Sequence, residues 1–125
     1  ANETPGPATE HYGYTQALAL LESHPEITAF FASNDITAIG VLGAARERGL
    51  RVPEDLSVVG YDNTPLAQSR LVSLTTIDDN SIGVGHNAAY LLLNKLGAKK
   101  SYPGVEHTLV PQLVERSTTA APRLN

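Results

Sequence analysis

The chain has 125 residues, 42% hydrophobic and 18% charged, a balance that suits one globular domain and excludes disorder and a coiled coil. Nine Lys and Arg against thirteen Asp and Glu leave a net charge of −4, so this segment offers no basic surface for gripping a phosphate backbone by itself. With no Cys, disulfides, zinc–thiolate sites and thiol nucleophiles are excluded, and no apolar run approaches the length of a membrane span.

Residues 1–8 hold two Pro and one Gly and read as an irregular lead-in. The chain contains no Met and its start lacks a signal-peptide pattern, so a processed product or a segment of a longer protein is expected. Thr9 can cap a helix in which Tyr14, Ala17, Leu18 and Leu21 recur at helical spacing as far as Glu22, and Pro25 ends it. Residues 28–32 are apolar and aromatic between polar neighbours, the pattern of a buried strand. Asn34 or Asp35 can cap the next helix, where Ile36, Ile39, Leu42 and Ala45 repeat. Gly49 fits the left-handed position after that helix, and Pro53 keeps it from resuming.

Residues 56–59 read as a second buried strand, running into Gly60-Tyr-Asp-Asn63. Thr64 followed by Pro65 is a helix start, predicting a turn or two as far as about Arg70. Residues 74–77 form a third short strand that ends in Asp78, Asp79 and Asn80. A longer helix then carries Ile82, Ala89, Leu92, Leu93 and Leu96 on one stripe and stops at Gly97. Residues 98–104 read as a solvated loop, Val105, His107 and Leu109 alternate as a strand does until Pro111, and residues 118–125 read as a polar tail.

Strands alternating with helices imply right-handed crossovers and a mostly parallel sheet, an α/β fold. Ligands of such sheets bind beyond the carboxyl ends of the strands. Three successive strands here end in Asn34-Asp35, Asp62-Asn63 and Asp78-Asp79-Asn80, so carboxylates and amides gather on one edge. Each Asp accepts hydrogen bonds and each Asn both donates and accepts, which suits a ligand rich in hydroxyls. The plainer alternative is that Asn34 only caps a helix and Asp62 only starts a turn.

A Mg²⁺ site is a second reading of that edge, but it calls for a phosphate-clamping Lys or Arg. The only Lys residues, Lys95, Lys99 and Lys100, follow no strand end. His11, His24, His86 and His107 are scattered without metal-ligand spacing, with His11 and His86 expected on helix surfaces. There is no G-x-S-x-G elbow or P-loop, and Gly83-Val-Gly85 falls inside a helical stretch. No catalytic residue, metal or cofactor is expected.

The residues themselves say more. Thr28-Ala-Phe-Phe-Ala-Ser-Asn-Asp35, Ala38-Ile-Gly40, Arg48-Gly-Leu-Arg-Val-Pro-Glu-Asp-Leu-Ser-Val-Val-Gly-Tyr-Asp62 and Leu74-Thr-Thr-Ile77 resemble the LacI/GalR family of transcription regulators in order and spacing. Gly85 and the late Val114-Glu-Arg-Ser-Thr118 fit as well. The likeness runs from about Tyr12 to Ala121, and the stretch from Arg48 to Asp62 is its most specific part.

That resemblance implies a three-layer parallel-sheet sandwich, part of a periplasmic-binding-protein-like type I fold. Residues 1–78 would lie in the second subdomain, 79–108 would cross to the first, and 109–125 would return. Such a piece would leave apolar faces uncovered, so that it associates or rearranges. The effector contacts carried over are Asn34, Asp62 and Asp79, with Asp35 a helix-start residue.

Ala8 and Ser81 depart from the family's pattern, which places ligand-stacking aromatic residues near both, and they leave the effector unnamed. The family dimerises through this subdomain, which assigns Tyr14, Ile39, Leu42 and Arg70 to a homodimer interface; burial within the subdomain is the alternative for Ile39 and Leu42. The implied protein is a cytoplasmic regulator, not an enzyme, that senses a small effector such as a sugar. Operator DNA would be bound only through a helix-turn-helix absent from this chain. The rival expectation is an exported sugar-binding protein of a transporter, since the core fold is shared.

Overall fold

A computed structural model of the chain describes residues 6–97 and 104–122. Its centre is a four-stranded sheet in the order β1 (Ala29–Phe31), β2 (Ser57–Tyr61), β3 (Thr75–Asp78), β4 (Gln112–Val114). The first three strands are parallel, with Phe31 opposite Val59 and Val59 opposite Thr75. β4 runs antiparallel to β3, pairing Leu113 with Ile77. The helices are α1 (Glu10–Ser23), α2 (Asp35–Glu47) and α3 (Ser81–Gly97).

Local signals set the ends of the first two helices. Thr9 caps α1 by accepting from the Tyr12 N–H at 3.2 Å, and Asn34 caps α2 by accepting from the Thr37 N–H at 2.9 Å. Gly49 follows α2 at φ +69°, the conformation glycine adopts without strain. α1 and α2 pack backbone to backbone. A Cβ on Gly40 would lie 2.0 Å from the Glu10 carbonyl oxygen, and one on Gly13 would lie 2.1 Å from that of Thr37.

The core lies where these helices meet one face of the sheet. Leu56, Val58 and Leu74 are fully buried against Ala17, Leu21, Ala38, Val41, Ala44 and Ala45. Fully burying a leucine contributes about 1.5–3 kcal/mol, so the small residues of α2 matter chiefly by letting the sheet come close.

Four expectations are corrected. β1 is not a buried strand, for Phe31 is 67% exposed. It shares with Val59 the sheet face that points away from α2. Residues 65–72 form successive turns rather than helix. The Ser69 and Val72 N–H groups close tight turns onto the Leu66 and Ser69 carbonyls, and the Ala67 carbonyl is turned to the Leu74 N–H at 2.9 Å. The last strand lies after Pro111, not over 105–109; β4 pairs with β3 while 105–109 runs beside α3. Thr118 belongs to no solvated tail. It is buried between β2 and β3, donating to the Val58 carbonyl at 2.7 Å and accepting from the Thr75 N–H at 2.9 Å.

α3 runs as expected, but the stripe of Ile82, Leu92, Leu93 and Leu96 faces outward and no α3 residue is buried. Val84, Ala88 and Leu91 instead face Val105 and Leu109 across a cleft of about 400 Å³. Of the expected loop and termini, 98–103, 1–5 and 123–125 lie outside the described residues.

Candidate functional site

Parallel pairing of β1, β2 and β3 brings their carboxyl ends to one edge. Asn34, after β1, is half-buried and caps α2 through Oδ1. The plainer alternative is therefore realised, yet its Nδ2 has no partner among the described residues. Asp62, at the end of β2, has φ +106° and an exposed side chain that makes no hydrogen bond among the described residues. Its carboxyl is held above the usual aspartate range, first by partial withdrawal from water, then by the charges of Asp35 and Asp79. Asp79 is half-buried, and its Oδ1 accepts from the Ser81 N–H at 3.0 Å. The structure thus brings Asp62 and Asp79 together and leaves Asp62 with full acceptor capacity.

Beneath this edge lies a bracket that the sequence did not reveal. Asp35 is 1% exposed, and its Oδ2 accepts from the Thr64 N–H at 2.7 Å and the Thr64 hydroxyl at 2.9 Å. Its Oδ1 accepts from the Thr76 hydroxyl at 2.5 Å. One carboxylate so ties the start of α2 to the turn after β2 and to β3. Such a buried charge is tolerable only because both oxygens are engaged. Gly60 makes room for it, since a Cβ there would lie 2.4 Å from Asp35 Oδ1. A glycine inside a strand was the one available signal of that close approach.

A second network was also missed. Asn63 Nδ2 donates to Asp78 Oδ2 at 2.9 Å, and Asn63 Oδ1 accepts from an Arg116 Nη2–H at 2.6 Å. The Asn80 N–H, then the Asn63 amide and the Arg116 charge hold the Asp78 carboxyl below its ordinary value. These partners lie 15 and 53 positions apart in the chain, which no local pattern reports.

The expected interface residues separate. The Tyr14 hydroxyl donates to the Glu47 carboxylate across α1 and α2, a bond that pushes its phenol pKa up. Tyr14 and Leu42 are half-buried against the core, which for Leu42 is the alternative of ordinary burial, and Ile39 is half-buried. Arg70 is exposed beside Leu71, which is 100% exposed. Leu42 and Leu71 line one groove with Leu50, Val52 and Val72, which Ile39 does not join. His11 and His86 are exposed on their helices. Among the described residues no group of His, Asp and Glu is arranged to hold a metal, and no helix is long and apolar enough to cross a membrane.

The chain matches the family described as periplasmic binding protein-like domain over residues 2–119. It is 39% identical over 101 residues to a ribose operon repressor from Halalkalibacterium halodurans, covering 81% of this chain and 30% of that protein. The crystal structure of a LacI-family transcriptional regulatory protein from Corynebacterium glutamicum superposes with a TM-score of 0.86 at 69% identity, covering 98% of this chain and 46% of that one. A LacI-family regulator from Arthrobacter sp. FB24 in complex with lactose superposes at 0.82 with 36% identity, covering 90% and 43%. The chain spans less than half the length of each of these proteins.

Proposed function

The chain belongs to the periplasmic-binding-protein-like domain family shared by LacI-type transcriptional regulators, and from that premise we propose that it forms the effector-binding and dimerising part of such a regulator. The effector is a small hydroxyl-rich molecule such as a sugar. The observation that carries this reading is the pair of unspent polar groups at the strand ends. The Asp62 carboxylate accepts from sugar hydroxyls, Asn34 Nδ2 donates to one, and Asp79 contributes from the β3–α3 connection. Charged acceptors make stronger and more directional bonds to hydroxyls than neutral ones. The similarity to a ribose repressor and to a lactose-bound regulator supports the ligand class.

Residues 1–78 act as the second subdomain, 79–108 cross to the first, and 109–125 return. The outward apolar stripe of α3 supports this division, since an exposed aliphatic face of that kind marks an interaction surface. Effector binding works by population shift: it favours one arrangement of the subdomains, and that arrangement alters a DNA-binding segment outside this chain. No step of chemistry is required of the protein, which acts in the cytoplasm as a homodimer.

Calorimetry of the full-length protein with D-ribose and lactose tests the reading. Asp62→Ala should abolish binding while the circular dichroism spectrum stays that of the parent; unchanged affinity contradicts the assignment. For the dimer, Ile39→Asp should convert the sedimentation profile to that of a monomer, and a profile identical to the parent's counts against the interface.

A further inference from the structure

The turn that carries Asp62 is held in a backbone conformation that non-glycine residues avoid. φ is +106° at Asp62 and +51° at Asn63. Such conformations persist where surrounding contacts over-determine them. Here the Asp62 N–H donates to the Ile77 carbonyl at 2.9 Å, and further contacts converge on Asn63. Its carbonyl accepts from Gln68 Nε2 at 2.8 Å, its Nδ2 donates to Asp78 at 2.9 Å, and its Oδ1 accepts from Arg116 at 2.6 Å. Arg116 is fixed in turn, for its Nη1 donates to the Leu74 carbonyl at 2.7 Å and its backbone N–H to Thr75 Oγ1 at 2.9 Å. A guanidinium can span two acceptors in this way because its donors are rigidly forked.

The positions of the two anchors matter. Asp78 is the last residue of β3, just before the connection into α3, and Arg116 stands two residues beyond β4, bonded to Leu74 and Thr75 at the start of β3. The turn bearing Asp62 is therefore tied to the end of β3 that leads into α3 and, through Arg116, to the segment that follows β4. We propose that Arg116 is a positioning residue for the ligand edge: acting through Asn63, it holds Asp62 in its binding geometry. This deepens the function proposed above and rests on Asp62 being a ligand contact.

The test compares Arg116→Lys, Asn63→Gly and the double variant. Lys keeps the charge but cannot fork between the Leu74 carbonyl and Asn63, whereas Gly at 63 adopts positive φ freely and removes the link. In the parent chain, Asp62 and Asn63 should give the strong intraresidue Hα–HN Overhauser effects that mark positive φ. In Arg116→Lys these should weaken, and calorimetry on the full-length protein should show D-ribose or lactose affinity falling about tenfold or more. A merely structural tie would lower Tm without moving either readout.

In the Asn63→Gly background, Arg116→Lys should have no further effect on affinity, because the route is already cut. Parent-like Overhauser effects, parent-like affinity in Arg116→Lys, or fully additive losses in the double variant would each overturn the proposal. If Arg116→Lys does not fold, Asn63→Gly alone must lower affinity, and parent-like binding by it overturns the proposal. If the parent binds neither sugar while the Overhauser effects still depend on Arg116, the sugar reading fails and the positioning of the turn stands.

Discussion

α2 and α3 are built from a similar set of small and aliphatic residues, yet they end in opposite environments. α2 buries Asp35, Ala38, Gly40, Val41, Ala44 and Ala45, while Leu92, Leu93 and Leu96 of α3 are all more than half exposed. The difference lies in what each helix faces. α2 meets α1 through the Gly13 and Gly40 contacts and meets β2 through Gly60, so its backbone approaches both partners closely. α3 faces the 105–109 segment across an open cleft. Burial belongs to a pair of surfaces, and an apolar stripe read from one of them predicts only that a partner is wanted.

Three perturbations test this contrast. The largest effect falls in the closed half. Leu74→Ala removes a fully buried side chain between the helices and the sheet, and should cost about 2–5 kcal/mol in urea unfolding. A loss under about 1 kcal/mol would mean that this half is no better packed than α3. On the open side, Leu93→Ser should change the stability of this chain by no more than about 0.5 kcal/mol. A large loss there would show that the stripe is covered in solution.

The smallest effect separates the two carboxylates of the edge by sign. Asp78 is held below the ordinary aspartate pKa, so its contribution is present above that ordinary value and lost as pH falls through the folded one. Asp62 is raised, so the folded state keeps its proton longer than the unfolded chain does. The penalty on folding grows as pH rises from the unfolded value and is complete above the folded one. Asp62→Asn should therefore raise Tm slightly at pH 7, with the gain vanishing near pH ~3, where both states are protonated. If this edge receives a sugar, the same substitution should weaken binding, a trade of stability for recognition. A lower Tm at pH 7 would place Asp62 among the supporting residues instead.

Much of this was legible in the sequence because it is local. The caps at Thr9 and Asn34, the glycine after α2 and the strand ends at Asp62 and Asp78 each follow from a few adjacent residues. What escaped depends on partners distant in the chain. Asp35 is satisfied by Thr64 and Thr76, Arg116 by Leu74 and Asn63, and Thr118 by Val58 and Thr75. The strand expected over 105–109 shows the same limit. Alternation there was real, but pairing with β3 selected the residues after Pro111. The two stripe residues of α2 expected at an interface, Ile39 and Leu42, illustrate it again, since half-burial against one's own core and half-burial at a partner share one pattern.

The proposed binding of effector at the carboxyl edge of β1, β2 and β3 is open to direct observation. A crystal structure of the full-length protein grown with D-ribose or lactose tests it most directly. Ligand hydroxyls should lie within hydrogen-bond distance of the Asp62 carboxylate and Asn34 Nδ2, with Asp62 and Asn63 still at positive φ. A sugar bound elsewhere, with Asp62 facing only solvent, would contradict it.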